Sequence, residues 1–255
     1  KIYIKRRFIL NTLVKQLFES GKLPAICFVF SRKHVELCAK EIEISLFNDN
    51  EKHLIKDVER ECETILRTKL QNVKEYLNLP EYKNIIRLLQ KGIGIHHAGI
   101  MPVFREMIEL LFEKKYIKLL FATETFAVGI NMPTKTVIFT SLTKFNGHTM
   151  RLLHSYEYSQ MAGRAGRRGI DTKGDIILCS NLFDIPDIKN FRIMLSGTPK
   201  ELISKFKISY HLIIHILLTS DSASFIDIVD KFTSKSMVHD DIKNNIKQYE
   251  LELQN

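Results

Sequence analysis

Residues 117–134 read IKLLFATETFAVGINMPT. The run 117–121 (IKLLF) is too short for a globular helix and breaks into hydroxyls, an acid and a glycine, so it reads as a buried strand. In open α/β sheets ligands gather outside the carboxyl ends of strands, and the segment 122–134 is expected there. A hydroxyl at Thr123 can exchange hydrogen bonds with a phosphate, and backbone N–H groups at the following helix start favour anions. Thr123 is equally suited to capping a plain strand-to-helix turn.

Outward from this stretch the chain alternates short apolar runs with amphipathic ones, as a parallel sheet flanked by helices requires. Residues 25–30 (AICFVF) form a strand, followed by a helix with Val35, Cys38, Ile42 and Leu46 on one face. Gly92–His96 is a further strand, and Pro102 opens a helix that aligns Phe104, Ile108 and Leu111. Residues 136–142 and 175–180 complete the strands. Asn146-Gly147 signals a type I′ turn and a β-hairpin within 137–153. Residues 50–90 are rich in charge and helix formers, and read as a helical insertion spanning about 47–91. After Pro199, Leu202, Phe206, Tyr210, Ile213 and Leu217 recur at helical spacing, as if a second, smaller unit began at 199.

Composition narrows the partners without choosing one. The chain has 255 residues with 38 Lys and Arg against 29 acids, a formal charge of +9. Such a surplus favours polyanions but does not separate nucleic acid from an acidic protein or a membrane surface. No apolar run is long enough to span a bilayer, and no membrane partner is expected. The four cysteines, Cys27, Cys38, Cys62 and Cys179, form no C-x-x-C pair, which fits an intracellular, reducing compartment and points to neither zinc nor disulfides. Position 1 is Lys, so the chain reads as an excerpt or a processed form.

Residues 160–169 read QMAGRAGRRG. Its glycines permit tight turns, and Arg164 and Arg167, three apart, could face one anion from a single helical turn. Arginine suits bidentate contact with phosphate oxygens. Short Arg/Gly clusters also occur in basic loops and RNA-binding tails, but this one lies between an expected helix and a strand.

The pair ATETFAVGINMP and QMAGRAGRRG, in this order and separation, resembles motifs V and VI of superfamily 2 helicases. The wording is especially similar to DExH-box enzymes of the superkiller and exosome-assisting branch. FVFSRKHVE at 28–36 looks like their motif IV, and GIGIHHAGI at 92–100 like the stretch before motif V. GTPKELISKFKISYHLIIHILL at 197–218 resembles the start of that branch's winged-helix region. The resemblance runs from about residue 5 to about residue 235, with 47–91 matched in position more than in wording.

The resemblance implies that 1–198 is a second RecA-like domain, a P-loop-NTPase-type sheet, and that 199–255 begins an incomplete winged-helix domain. It implies that Arg164 and Arg167 are arginine fingers for the γ-phosphate of ATP, with Gln160 near the phosphates and Gly129 and Asn131 near the ribose and phosphate side. Thr123 would touch the nucleic-acid backbone, and Glu124 would link the strand site to the ATP site. Ser31, Arg32, His97 and Gly99 would face the bound strand, giving grip with little sequence choice. Segment 122–134 would couple both ligands during 3′-to-5′ movement.

Blander roles stand beside these. His96 and His97 also suit packing or capping, and Ser31 suits a helix cap. Phe126 and Phe145 could stack on bases or fill core. Lys5-Arg6-Arg7 reads as a solvated helix face, while Asp171 and Asp175 read as partners that orient the arginines.

Hydrolysis needs a phosphate loop, a Mg2+-binding carboxylate and a residue that positions water. G-x-x-x-x-G-K-[ST] is absent, since Gly21-Lys22 is followed by Leu23, and neither D-E-x-H nor D-E-x-D occurs. The Walker site and Mg2+ are therefore expected in a first RecA-like domain preceding Lys1, leaving this chain inactive alone. Its partners would be that domain, single-stranded RNA and an RNA-decay complex. Two readings compete: a DNA-repair or spliceosomal helicase of the same superfamily, and a catalytically inactive nucleic-acid-binding scaffold.

Overall fold

The apolar runs become strands β1 (Ala25–Phe28), β2 (Ile93–His96), β3 (Leu119–Ala122) and β4 (Thr136–Phe139), and every residue in them is buried. Burial on both faces is what continuous apolar runs in a parallel sheet call for. The computed structural model describes residues 5–127, 132–167 and 169–197, with His211, Ile214 and Leu218 beyond them. The half-exposed β7 (Asp175–Leu178) adds to β4 at one edge. The sheet has five strands in the order β2-β3-β1-β4-β7, and all four pairings are parallel.

Helices α1 (Arg6–Glu19), α2 (Arg32–Glu41) and α6 (Pro102–Glu113) carry core side chains such as Leu10, Val35 and Phe104. Between α2 and β2 run α3 (Lys52–Lys69), α4 (Val73–Leu77) and α5 (Pro80–Leu89), helical as the composition of 50–90 indicates. The β5 (Thr143–Phe145) and β6 (Met150–Leu152) pair is a separate antiparallel hairpin. It leads into α7 (Ser155–Ala162), and α8 (Ile188–Ser196) follows β7.

Local readings differ in several places. Helix α2 stops at Glu41 rather than reaching Leu46, because Asn11 of α1 intervenes. Its amide donates to Glu41 O at 2.7 Å and its carbonyl accepts from Glu43 N–H at 2.9 Å, drawing the chain out of helix. Lys5 and Arg7 are solvated as the sequence suggests, whereas the half-buried Arg6 holds Glu41 bidentately at 2.9 and 2.7 Å. The hairpin turn is centred on Gly147-His148, since Asn146 N–H donates to Thr149 O. Gly147 has a positive φ, +102°, and the Asn146 side chain accepts from His148 N–H at 2.9 Å and Thr149 N–H at 2.8 Å, which closes the turn.

The chain divides into two compact units, Lys1–Thr198 and Pro199–Asn255. Every element above belongs to the first. The apolar repeat from Leu202 to Leu217 and the expected winged-helix start lie outside the described residues.

Candidate functional site

The parallel register sets Phe28, His96, Ala122 and Phe139 level, so the segments after them share the carboxyl edge of the sheet. Ser31 opens α2 there, its Oγ 3.5 Å from His34 N–H, and Arg32, Lys33 and His34 are exposed beside it. Gly99 is exposed at the same edge. A Cβ placed on it would come within 3.4 Å of Arg32 Cδ.

His97 turns away from this surface. Its ring is 3% exposed, Nδ1 accepts Gly99 N–H at 3.1 Å, and Nε2 lies 3.6 Å from Glu36. His96 is buried edge-on against Phe126, with Nε2 2.7 Å from Glu109. Burial lowers both imidazole pKa values, against the pull of the neighbouring carboxylates. His97 thus shapes the 97–99 turn from inside, while Arg32 and Gly99 form its outer face. Thr123 is also largely covered, its Oγ1 2.9 Å from Thr125 Oγ1. Phe126 is fully buried core, whereas Phe145 at the hairpin end is 60% exposed.

The connection after β3 does not stay at the carboxyl edge, as the sequence led us to expect. β3 and β4 lie parallel on either side of β1, so the chain between them must return to the amino edge. Thr123 and a 3-10 turn, Glu124–Ala127, stand at the carboxyl end. Thr134 stands before the first residue of β4 and is stitched to the arginine segment. Thr134 N–H donates to Arg164 O at 2.8 Å, and Gly166 N–H donates to Thr134 O at 2.7 Å. Gly129 and Asn131 lie outside the described residues.

Nor do the two arginines share a helical turn. Helix α7 ends at Ala162, and the chain turns through Gly166 at φ +90°. Gly166 and Ala165 lie against Gly174 just before β7. A Cβ on Gly174 would sit 2.4 Å from Ala165 C, so the strand can begin there only without a side chain. Arg164 Nη2 donates to Ala127 O, and its buried Nε has no partner. Arg167 instead grips Asp171 through Nε at 2.7 Å and Nη2 at 2.8 Å. That hydrogen bonding holds the Asp171 carboxyl at about 2. Asp175, by contrast, pairs with Lys22 at 3.4 Å and not with an arginine. Gln160 is exposed on the last turn of α7.

One cluster escaped the sequence reading. Lys144 of β5 lies 3.4 Å from Glu124 and 2.8 Å from Glu157 of α7. Arg151 of β6 holds Glu157 bidentately at 2.7 and 2.8 Å, and Glu157 also accepts His154 N–H at 2.8 Å. Burial raises the Glu157 pKa, but hydrogen bonds from Arg151 and Lys144 outweigh it and set it at about 2. The signal available in sequence was His154-x-x-Glu157, a capping-box spacing at the helix start. A cleft of about 890 Å3 opens at the carboxyl edge beside this hairpin, with Ser31, His34, Thr140, Phe145 and Asp184 in its walls.

A five-stranded parallel sheet whose Arg-Ala-Gly-Arg turn is stitched to the β3–β4 connection defines a RecA-like helicase domain, and residues 58–169 match the helicase conserved C-terminal domain. The chain is similar to the antiviral helicase SKI2 of Saccharomyces cerevisiae, 41% identical over 207 residues, covering 80% of this chain and 16% of that protein. Human exosome RNA helicase MTR4 is 41% identical over 206 residues, with 80% and 19% covered. The Arabidopsis thaliana DExH-box ATP-dependent RNA helicase DExH10 is 37% identical over 246 residues, with 94% and 24% covered. The chain belongs to the superfamily 2 DExH-box helicases, in the superkiller and exosome-assisting branch. It spans between 16% and 24% of the length of these three relatives.

Proposed function

We propose that this chain is the second motor domain of an intracellular ATP-dependent RNA helicase that moves 3′ to 5′ in RNA processing or decay. One observation carries the reading: the β3–β4 connection leaves the carboxyl edge at Thr123 and is bonded at Thr134 to the Arg164 segment at the amino edge. A ligand at either end therefore acts on the same stretch of backbone.

In this reading Arg32 and the 97–99 turn grip the phosphates of single-stranded RNA, with Ser31 supporting the start of α2. Thr123 and Glu124 lie where the strand passes the coupling segment. Arg164 and Arg167 approach the γ-phosphate of ATP held by a P-loop-bearing domain, with Gln160 nearby and Gly129 and Asn131 toward the ribose. Asp171 holds Arg167 by Nε and Nη2, which pre-orients the guanidinium so that Nη1 can meet a phosphate oxygen. The buried, unpartnered Nε of Arg164 is a further donor suited to an anion. Mg2+ is assigned to the P-loop-bearing domain, whose phosphate loop and carboxylate would hold it beside the ATP phosphates. The four buried free thiols support a reducing compartment. An RNA-decay complex is the assembly this role would serve.

Arg167→Ala in the full-length protein tests the assignment. An arginine finger is worth ~10³–10⁵ in rate, so turnover should fall to background while oligouridylate affinity stays within a few-fold. Unchanged turnover would remove Arg167 from the ATP site. Matched RNA and DNA strands in the same binding assay separate the RNA reading from a DNA-repair one.

A further inference from the structure

We propose that Glu157 is a positioning residue that couples the β5–β6 hairpin and the strand-side turn at Glu124 to the arginine segment following α7. The inference rests on the motor-domain reading above.

Lys144 and Arg151 are direct register partners across the hairpin, so two positive charges stand side by side. Like charges opposite one another destabilise a two-stranded ribbon unless an anion answers them. Glu157 answers both, at 2.8 Å to Lys144 and at 2.7 and 2.8 Å to Arg151. The Glu157 and Lys144 side chains are 11% and 18% exposed, so the contacts are less screened than open surface pairs.

Glu157 is the third residue of α7 and bonds the His154 amide, so the ion cluster fixes where the helix begins. The same helix carries Gln160 on its next turn and ends two residues before Arg164. Eight residues of α-helix transmit a shift at one end to the other as a rigid rod of about 12 Å.

Lys144 is the secondary support of the α7 cap, since Arg151 holds Glu157 bidentately and the His154 amide completes it. Its distinguishing contact is the second one, 3.4 Å to Glu124 beside Thr123. One ammonium is thus shared between a carboxylate on the strand-side turn and a carboxylate at the root of the helix that leads into the arginine turn. A strand that moves Glu124 or the hairpin alters that sharing, and with it the start of α7. The cluster supplies a side-chain route from strand to ATP site in parallel with the backbone stitch at Thr134.

The test is ATPase of the full-length protein with and without oligouridylate, alongside strand affinity by fluorescence anisotropy. Glu157→Gln should keep basal turnover and strand affinity within about two-fold and cut strand-stimulated turnover by roughly ten-fold, the pattern of lost coupling rather than lost binding. Lys144→Met should reproduce it, and Lys144→Arg should restore stimulation. If Glu157→Gln does not fold, Lys144→Met decides the matter, because it leaves the Arg151–Glu157 cap in place. Stimulation at the wild-type level in these variants overturns the inference, as does an equal fall in basal and stimulated turnover, which marks a purely structural cluster. If the unsubstituted protein is not stimulated by any strand, the motor reading fails first and this inference falls with it.

Discussion

His96 ends β2 and His97 follows it, the two residues 4% and 3% exposed, and each would have to shed water to become charged. Burial is the larger influence on both, so their pKa values are lowered although Glu109 and Glu36 pull upward. The folded state then binds fewer protons than the unfolded chain once pH drops below about 6.5, the ordinary imidazole value. Their contribution is complete above that pH and lost below it. Melting temperature should fall between about pH 7.5 and pH 5.5, and a His96→Gln, His97→Asn double variant should flatten that slope. A slope unchanged by the double variant would assign it to other groups. Glu157 acts in a separate window: held at about 2, its contribution disappears only as pH falls from about 5 toward 2. In sequence the two histidines were open to either a strand contact or a packing role. Composition cannot show which ring nitrogen Gly99 and Glu109 would occupy.

The arginine turn illustrates how an element depends on its neighbours. QMAGRAGRRG reads in sequence as a candidate phosphate-contacting segment, but not as a turn, because three-residue spacing fits a helix equally well. What ends the helix is the pair of backbone hydrogen bonds to Thr134, together with the close approach of Ala165 and Gly166 to Gly174. A methyl group at 174 would meet backbone at 2.4–2.6 Å, where no side chain can give way. Gly174→Ala should therefore cost roughly 1–3 kcal/mol as overpacking, measured by urea titration. In the full-length protein it should also weaken turnover more than strand binding. A stability change within about 0.5 kcal/mol would mean that β7 shifts freely away from the arginine turn. The hairpin tells a similar story: Asn146-Gly147 marked a turn correctly, and register moved its centre by one residue.

Across the whole first unit, the helices between α2 and β2 are attached by core packing and by rim ion pairs. Phe104 of α6 is fully buried and sits 6.4 Å from the Tyr76 ring and 5.8 Å from the Tyr82 ring, joining α4 and α5 to the sheet layer. Lys114–Glu61 and Lys69–Glu106 join α3 and α6 at the partly exposed rim. Deleting a buried aromatic ring costs about 3–5 kcal/mol, whereas exposed pairs are worth ~0–1 kcal/mol. Phe104→Ala should thus lower denaturant stability several times more than Lys114→Ala. Comparable losses would mean that the rim, not the core, holds these helices.

The sequence by itself determined the α/β class, strands β1 to β4 and β7, the helical run 50–90 and the family, because apolar runs and motif wording are local properties of the chain. It also marked Arg164, Arg167, Thr123 and Arg32 as residues of interest. Only the tertiary structure decided the strand order, with β3 and β4 on either side of β1. That order sends the β3–β4 connection from one edge of the sheet to the other and puts Thr134 against the arginine turn. It likewise turned His97 inward and gathered Glu124, Lys144, Arg151 and Glu157 from separate segments into one cluster. Pairing and burial are relations between distant segments, and no local pattern encodes which charge will face which.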